Sequence, residues 1–147
     1  MDHKPKVLFF STGDSTRSQI AEGFLRSLAG DQLVAASTSV ESPQADPLAC
    51  EVMNEVGVDI SSQRPKAIGE FFKEHFSYVV TVCDASREKF PVWPFTRNIL
   101  NWNLIDPEKV NGSMDQRKEV LRQVRDEISG KVREFVAKTL PHLQVGM

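Results

Sequence analysis

One stretch near the start constrains the fold more than any other: Val7-Leu8-Phe9-Phe10-Ser11-Thr12-Gly13-Asp14-Ser15-Thr16-Arg17-Ser18. An apolar run of strand type stops abruptly in small and polar residues. A helical pattern follows at once, with Ile20, Ala21, Phe24, Leu25 and Leu28 spaced along one face. Strand, tight loop and helix in succession present backbone N–H groups at a helix N-terminus, where unpaired donors and the helix dipole favour an anion. Arg17 adds a planar guanidinium that can grip a tetrahedral oxyanion with two parallel bonds. The residues Ser11, Thr12, Gly13, Asp14, Ser15, Thr16 and Arg17 therefore read as a cradle for a phosphate-like anion. The same residues also suit an ordinary strand–helix connection, with Ser15, Thr16 or Ser18 as the helix cap.

The rest of the chain supplies the frame. Lys6 to Phe10, Leu33 to Thr38, Tyr78 to Cys83 and Ile99 to Ile105 read as strands. Helices are expected over Ser18–Leu28, closed by Gly30, and after Asp46-Pro47, closed by Gly57. A short one is expected over Lys66–Phe72 and a long one from Asp115 to about Lys138. Leu48, Val52, Met53 and Val56 form the inward face of the second helix. Val120, Leu121, Val124, Ile128, Val132, Phe135 and Val136 form that of the last. The tail after Pro141 is expected to fray.

Alternating strands and helices predict an open parallel α/β sheet of about four strands with helices on both faces. Ligands bind such sheets beyond the C-terminal ends of the strands. Ser11, Cys83 and Asp106 all fall there. At 147 residues the whole chain, 1–147, is expected to form a single domain.

A net charge of −2 gives no bulk attraction to nucleic acid or to an anionic membrane. No stretch has the length and apolarity of a membrane span or signal peptide, which predicts a cytoplasmic protein. Cys50 and Cys83 are then reduced thiols, with Cys50 a packing residue. Neither a metal nor a cofactor is expected.

The loop resembles that of low-molecular-weight protein tyrosine phosphatases and, more closely, of the related thioredoxin-coupled arsenate reductases. Their run is Cys-Thr-Gly-Asn-Ser-x-Arg-Ser-Gln-Met-Ala-Glu-Gly. Here it is Ser11-Thr-Gly-Asp14-Ser-Thr-Arg17-Ser-Gln-Ile-Ala-Glu22-Gly23. The resemblance spans nearly the whole chain. It implies that position 11 carries the nucleophile, that Arg17 and the loop amides hold the oxyanion, and that Asp106 of Asp106-Pro107 is the general acid. It also implies that Cys83 is the second redox cysteine.

The departures fall on the chemistry. Ser11 replaces the nucleophilic cysteine, and a hydroxyl needs an adjacent base that a depressed-pKa thiolate does not. His3, His75 and His142 lie outside the motifs. Asp14 replaces a neutral Asn and is read as charge compensation for the lost thiolate; its carboxylate is expected to bond loop backbone. Phe90, before Pro91, stands at the third redox cysteine, so no disulfide relay can run. Ser37-Thr38-Ser39 replaces Ser-Ala-Gly. The positions by which some of these reductases bind potassium are here Asp14, Glu22, Ser37 and Lys66, whose ammonium could stand in for the cation.

The expected function is oxyanion binding of phosphate, arsenate or a sulfate-like ion, without thiol catalysis, with a phosphorylated protein as a further candidate partner. One alternative is an active phosphatase or arsenate reductase whose cysteine was changed to serine by engineering. The other is a non-catalytic scaffold that docks a partner on the aromatic stretch Phe90–Phe95.

Overall fold

The structure is a computed structural model that describes residues 4–41, 44–64, 67–71, 73–90, 92–93, 96 and 98–140. Strands β1 (Lys6–Ser11), β2 (Val34–Ser39), β3 (Tyr78–Cys83) and β4 (Ile99–Asn103) form one parallel sheet in the order β2-β1-β3-β4. Helices α1 (Thr16–Ala29), α2 (Pro47–Asn54) and α3 (Met114–Thr139) complete it, with short 3-10 helices at Ile68–Phe71 and Pro107–Lys109.

Strand alternation sends two sets of side chains to opposite faces. Val7, Phe9, Val80, Val82 and Trp102 meet α1 and α3 in the larger core, where Ile20, Leu25, Val124, Ile128 and Val132 are buried. Phe9 stacks at a tilt on Trp102, 5.7 Å between centroids. The opposite face carries Leu8, Phe10 and Val79 against Phe71, Phe76 and Trp93. The α-helices thus gather on one side, and the other is covered by the first 3-10 helix and its flanking chain.

Several boundaries move for local reasons. Strand β1 continues to Ser11 because its backbone still pairs with Ser39 and Val82 after the apolar run has ended. Helix α2 is capped as expected, with Asp46 Oδ1 accepting from the Leu48 N–H at 2.9 Å and Pro47 in first position. It stops at Asn54, so Val56 falls in the turn and is exposed rather than inward. That turn is a Schellman motif: the Val58 N–H reaches Met53 O and the Gly57 N–H reaches Asn54 O, both at 3.1 Å. Gly57 sits at φ +78°. By contrast Gly30 ends α1 in right-handed geometry at φ −63°, with no special need for glycine.

A Cβ at Gly57 meets no atom, so Gly57→Ala isolates the backbone cost. It is expected to destabilise by about 1–2 kcal/mol, read by urea denaturation. Helix α3 opens on a capping box between Ser113 and Gln116. Its inward face holds one residue hidden from an apolar pattern, Arg125, whose guanidinium donates to Val52 O at 2.9 Å. Val120 is only partly buried. No described helix is long and apolar enough to cross a membrane. The tail after Pro141 lies outside the described residues, as do Lys66 and Phe72 of the expected short helix.

Candidate functional site

The parallel sheet brings three chain segments to one rim. Ser11 ends β1, Cys83 ends β3, and Asp106 follows β4 as the cap of the second 3-10 helix. Between them lies the loop into α1. Ser11 is wholly buried. Its hydroxyl donates to the Asp14 carbonyl at 2.7 Å and lies 3.1 Å from Ser18 Oγ.

Arg17 stands in the first turn of α1 with no exposed surface. Its Nη1 donates to Leu104 O at 3.1 Å, and its Nη2 lies 3.6 Å from Asp106 Oδ2. Nε and Nη2 have no hydrogen-bond partner among the described residues. A buried unsatisfied donor costs about 1–3 kcal/mol, more when charged, so two on one guanidinium define a face aimed at an acceptor. Asp106 is equally buried. Its Oδ1 accepts from the Glu108 N–H at 3.0 Å, and its Oδ2 turns toward Arg17 and the loop. The approach is close enough that a Cβ on Gly13 would come within 2.6 Å of that oxygen. Gly13 is therefore required by space, not by backbone angle.

The backbone donors differ from a fully open cradle. The Thr12 N–H is engaged by Val82 O at 3.1 Å, and the Ser15 N–H by Gln44 O at 2.9 Å. Asp14 Oδ1 takes the Thr16 N–H at 3.0 Å, the backbone bond expected of it. Ser15 occupies the N-cap position, but its side chain does not cap; Asp14 does that work from one residue earlier. Of the seven loop residues, Thr12, Ser15 and Thr16 thus direct their N–H groups to protein acceptors. The N–H groups of Arg17 and Ser18 find none among the described residues.

Burial pushes the Asp14 carboxyl up, and the charge of Asp106 adds to it, against the Thr16 bonds and Arg17. The Cys83 thiol is likewise pushed up, first by burial and then by Glu88, despite a hydrogen bond with Thr12 and the field of Arg17. Cys83 is held as a neutral thiol, the opposite of a reactive one. Phe90, half-buried, offers no thiol partner. Glu22 accepts from Ser37 Oγ at 2.6 Å and pairs with Arg26, so the cation seen on this carboxylate is Arg26; Lys66 lies outside the described residues. Trp93, from the aromatic stretch, is core: it meets Phe10 and Phe76 edge-on at 5.8 and 6.3 Å, with Val92 beside it strongly exposed, while Phe95 lies outside the described residues.

Two carboxylates reach the loop without a signal in the sequence: Asp46, legible there only as a helix cap, and Glu108. The Asp46 N–H donates to Thr16 Oγ1 at 2.8 Å, tying the α2 cap to the loop, while its Oδ2 pairs with Arg117 at 2.8 Å. Glu108, two residues after Asp106, lies against Asp46 and in the field of Asp14. Its carboxyl is pushed up to about 7, first by burial and then by those neighbours. The folded chain then holds this proton more tightly than the unfolded chain. Stability contributed by Glu108 is present at low pH and lost as pH rises from its ordinary 4.5 through about 7. Glu108→Gln is expected to raise Tm above the native value at alkaline pH and to leave it unchanged below about 4.5, checked by thermal melts across that range.

The family model described as low molecular weight phosphotyrosine protein phosphatase matches residues 6–144. The chain is 33% identical over 133 residues to an arsenate reductase of Halalkalibacterium halodurans, covering 90% of this chain and 96% of that one. An arsenate reductase of Bacillus subtilis is also 33% identical, over 88% of this chain and 93% of its own. A solved arsenate reductase in the phosphate binding state superposes with a TM-score of 0.76 at 33% identity, over 91% of this chain and 98% of that one.

Proposed function

Because the chain belongs to the low molecular weight phosphotyrosine protein phosphatase family, we propose that it binds a phosphate-like oxyanion at the Ser11–Arg17 loop without thiol catalysis. The observation that carries this reading is Arg17: a fully buried guanidinium whose Nε and Nη2 have no hydrogen-bond partner among the described residues, at the head of α1. A phosphate-binding state in a similar arsenate reductase supports the same ligand class. Ser11 takes the nucleophile position, Asp106 the general-acid position and Cys83 the second redox position. Among the described residues the hydroxyl of Ser11 has no base: the atoms on it are the Asp14 carbonyl and the Ser18 hydroxyl. A serine so placed holds the loop closed instead of attacking. The neutral thiol of Cys83 and the phenyl ring at position 90 fit an absent redox relay. This reading treats 1–147 as one domain working in the cytoplasm.

The test is calorimetric titration of phosphate and arsenate into the native chain, paired with assays of phosphomonoester hydrolysis and thioredoxin-coupled arsenate reduction. Saturable binding with neither turnover is the expected result. Absence of binding, or turnover at the rate of an active relative, overturns it.

A further inference from the structure

Arg17 and Asp106 together present a mixed face. Arg17 offers two buried donors, Nε and Nη2, with no hydrogen-bond partner among the described residues. Asp106 Oδ2, 3.6 Å from Nη2, accepts no hydrogen bond among the described residues, its other oxygen being taken by the Glu108 N–H. Two donors beside one acceptor fit an anion that carries both bare oxygens and an O–H. Resting on the oxyanion reading above, we propose that the loop selects hydrogen-bearing oxyanions, inorganic phosphate and arsenate, over sulfate and over the fully ionised phosphate of a monoester, because Asp106 accepts the ligand's O–H.

The charges around the loop favour the same class. One guanidinium, Arg17, faces the carboxyls of Asp14 and Asp106, and their fields act on each other. Glu108 and the Asp46–Arg117 pair stand behind Asp14. Glu88 reaches Thr12 from the Cys83 side, 3.5 Å away. An anion with no proton to share places a bare oxygen against the Asp106 carboxylate, a like-charge contact that costs affinity. Inorganic phosphate and arsenate keep a proton on the dianion through the neutral range. Sulfate has none, and a phosphomonoester loses its last proton at about pH 6. The ligand class narrows accordingly to the free inorganic ion, away from a phosphorylated side chain.

The test titrates sodium phosphate, sodium sulfate and phenyl phosphate separately into the native chain, Asp106→Asn and Asp14→Asn at about pH 7.5, above the monoester's last pKa. Sites built to bond a ligand O–H reject analogues that lack it, and phosphate is expected to bind at least about tenfold tighter than the other two. Asp106→Asn can turn its amide N–H to a bare oxygen and is expected to shrink that preference to about threefold or less. Asp14→Asn keeps the Asp106 acceptor, removes a like charge and is expected to raise sulfate affinity most. Sulfate or phenyl phosphate binding the native chain as tightly as phosphate overturns the selectivity and leaves oxyanion binding standing. The native preference persisting in Asp106→Asn overturns its assignment to that carboxyl. No anion binding at all overturns the underlying reading and this one with it.

Discussion

Arg17→Ala is expected to abolish phosphate binding and to cost the fold about 3–5 kcal/mol, the usual price of leaving a buried charge unpaired. The two effects have separate origins. Binding fails because Nε and Nη2 are the buried side-chain donors left open to the ligand, while Thr12, Ser15 and Thr16 already direct their N–H groups to protein acceptors. Stability falls because Arg17 is fully buried, donates to Leu104 O and faces a buried Asp106. Truncation strands that carboxyl and opens a cavity where the side chain lay. A second substitution separates the causes. Arg17→Ala with Asp106→Ala removes the stranded charge, so it is expected to be more stable than Arg17→Ala alone, while phosphate binding stays absent. Urea denaturation and calorimetry on the four members of that cycle give both readouts. Arg17→Lys keeps a charge but loses the planar fork, so it is expected to weaken binding with a smaller loss of stability. Phosphate binding of native strength in a folded Arg17→Ala protein would remove the basis for placing the ligand here.

How much of this was legible beforehand depended on whether the information was local. Tyr78–Cys83 is apolar on both faces, and the strand matches the pattern residue for residue. The last helix declares itself by spacing, although Arg125 hides on its buried face because its stem packs like a hydrophobe while its head reaches Val52 O. The meeting of Ser11, Cys83 and Asp106 followed from a topological rule about strand ends. What could not be read was the destination of the loop's backbone donors. The acceptors of the Thr12 and Ser15 N–H groups are carbonyls of Val82 and Gln44, from segments that reach the loop only in the folded chain. Glu108 was equally hidden: its neighbours Asp46 and Asp14 come from two other loops, and Asp-Pro-Glu reads as turn chemistry alone. The exposure of Val56 had a local sign in Gly57, since a residue just before a left-handed cap lies in the turn.

Ser11→Cys is expected to create phosphomonoester hydrolysis, on the order of 10³-fold or more above the native chain, because enzymes that lose their nucleophile fall by comparable or larger factors. The sulfur would sit at the head of α1 near Arg17, where a thiol is acidified by the helix N-terminus and a cation. Two features of the present site oppose it. The Asp14 carbonyl points its negative end at the position 11 side chain, as a hydroxyl donor requires and a thiolate does not tolerate. The Asp14 carboxyl adds a like charge. Turning the Asp14–Ser15 peptide would remove the first obstacle and aim the Ser15 N–H at the sulfur, at the cost of its bond to Gln44 O. Asp14→Asn would remove the second. Ser11→Cys with Asp14→Asn is therefore expected to show a lower thiol pKa and a faster rate than Ser11→Cys alone, by iodoacetamide titration and by hydrolysis of p-nitrophenyl phosphate at about pH 6, where the monoester still carries part of its proton. Adding Asp106→Asn is expected to slow that rate by about 10²-fold or more through loss of the acid. None of these variants is expected to reduce arsenate through thioredoxin, since position 90 is phenylalanine and no third cysteine there can take over a disulfide formed between positions 11 and 83. A Ser11→Cys protein that binds phosphate yet neither alkylates nor hydrolyses would mean that the loop around position 11 is built for a neutral hydroxyl and does not reorganise around a thiolate.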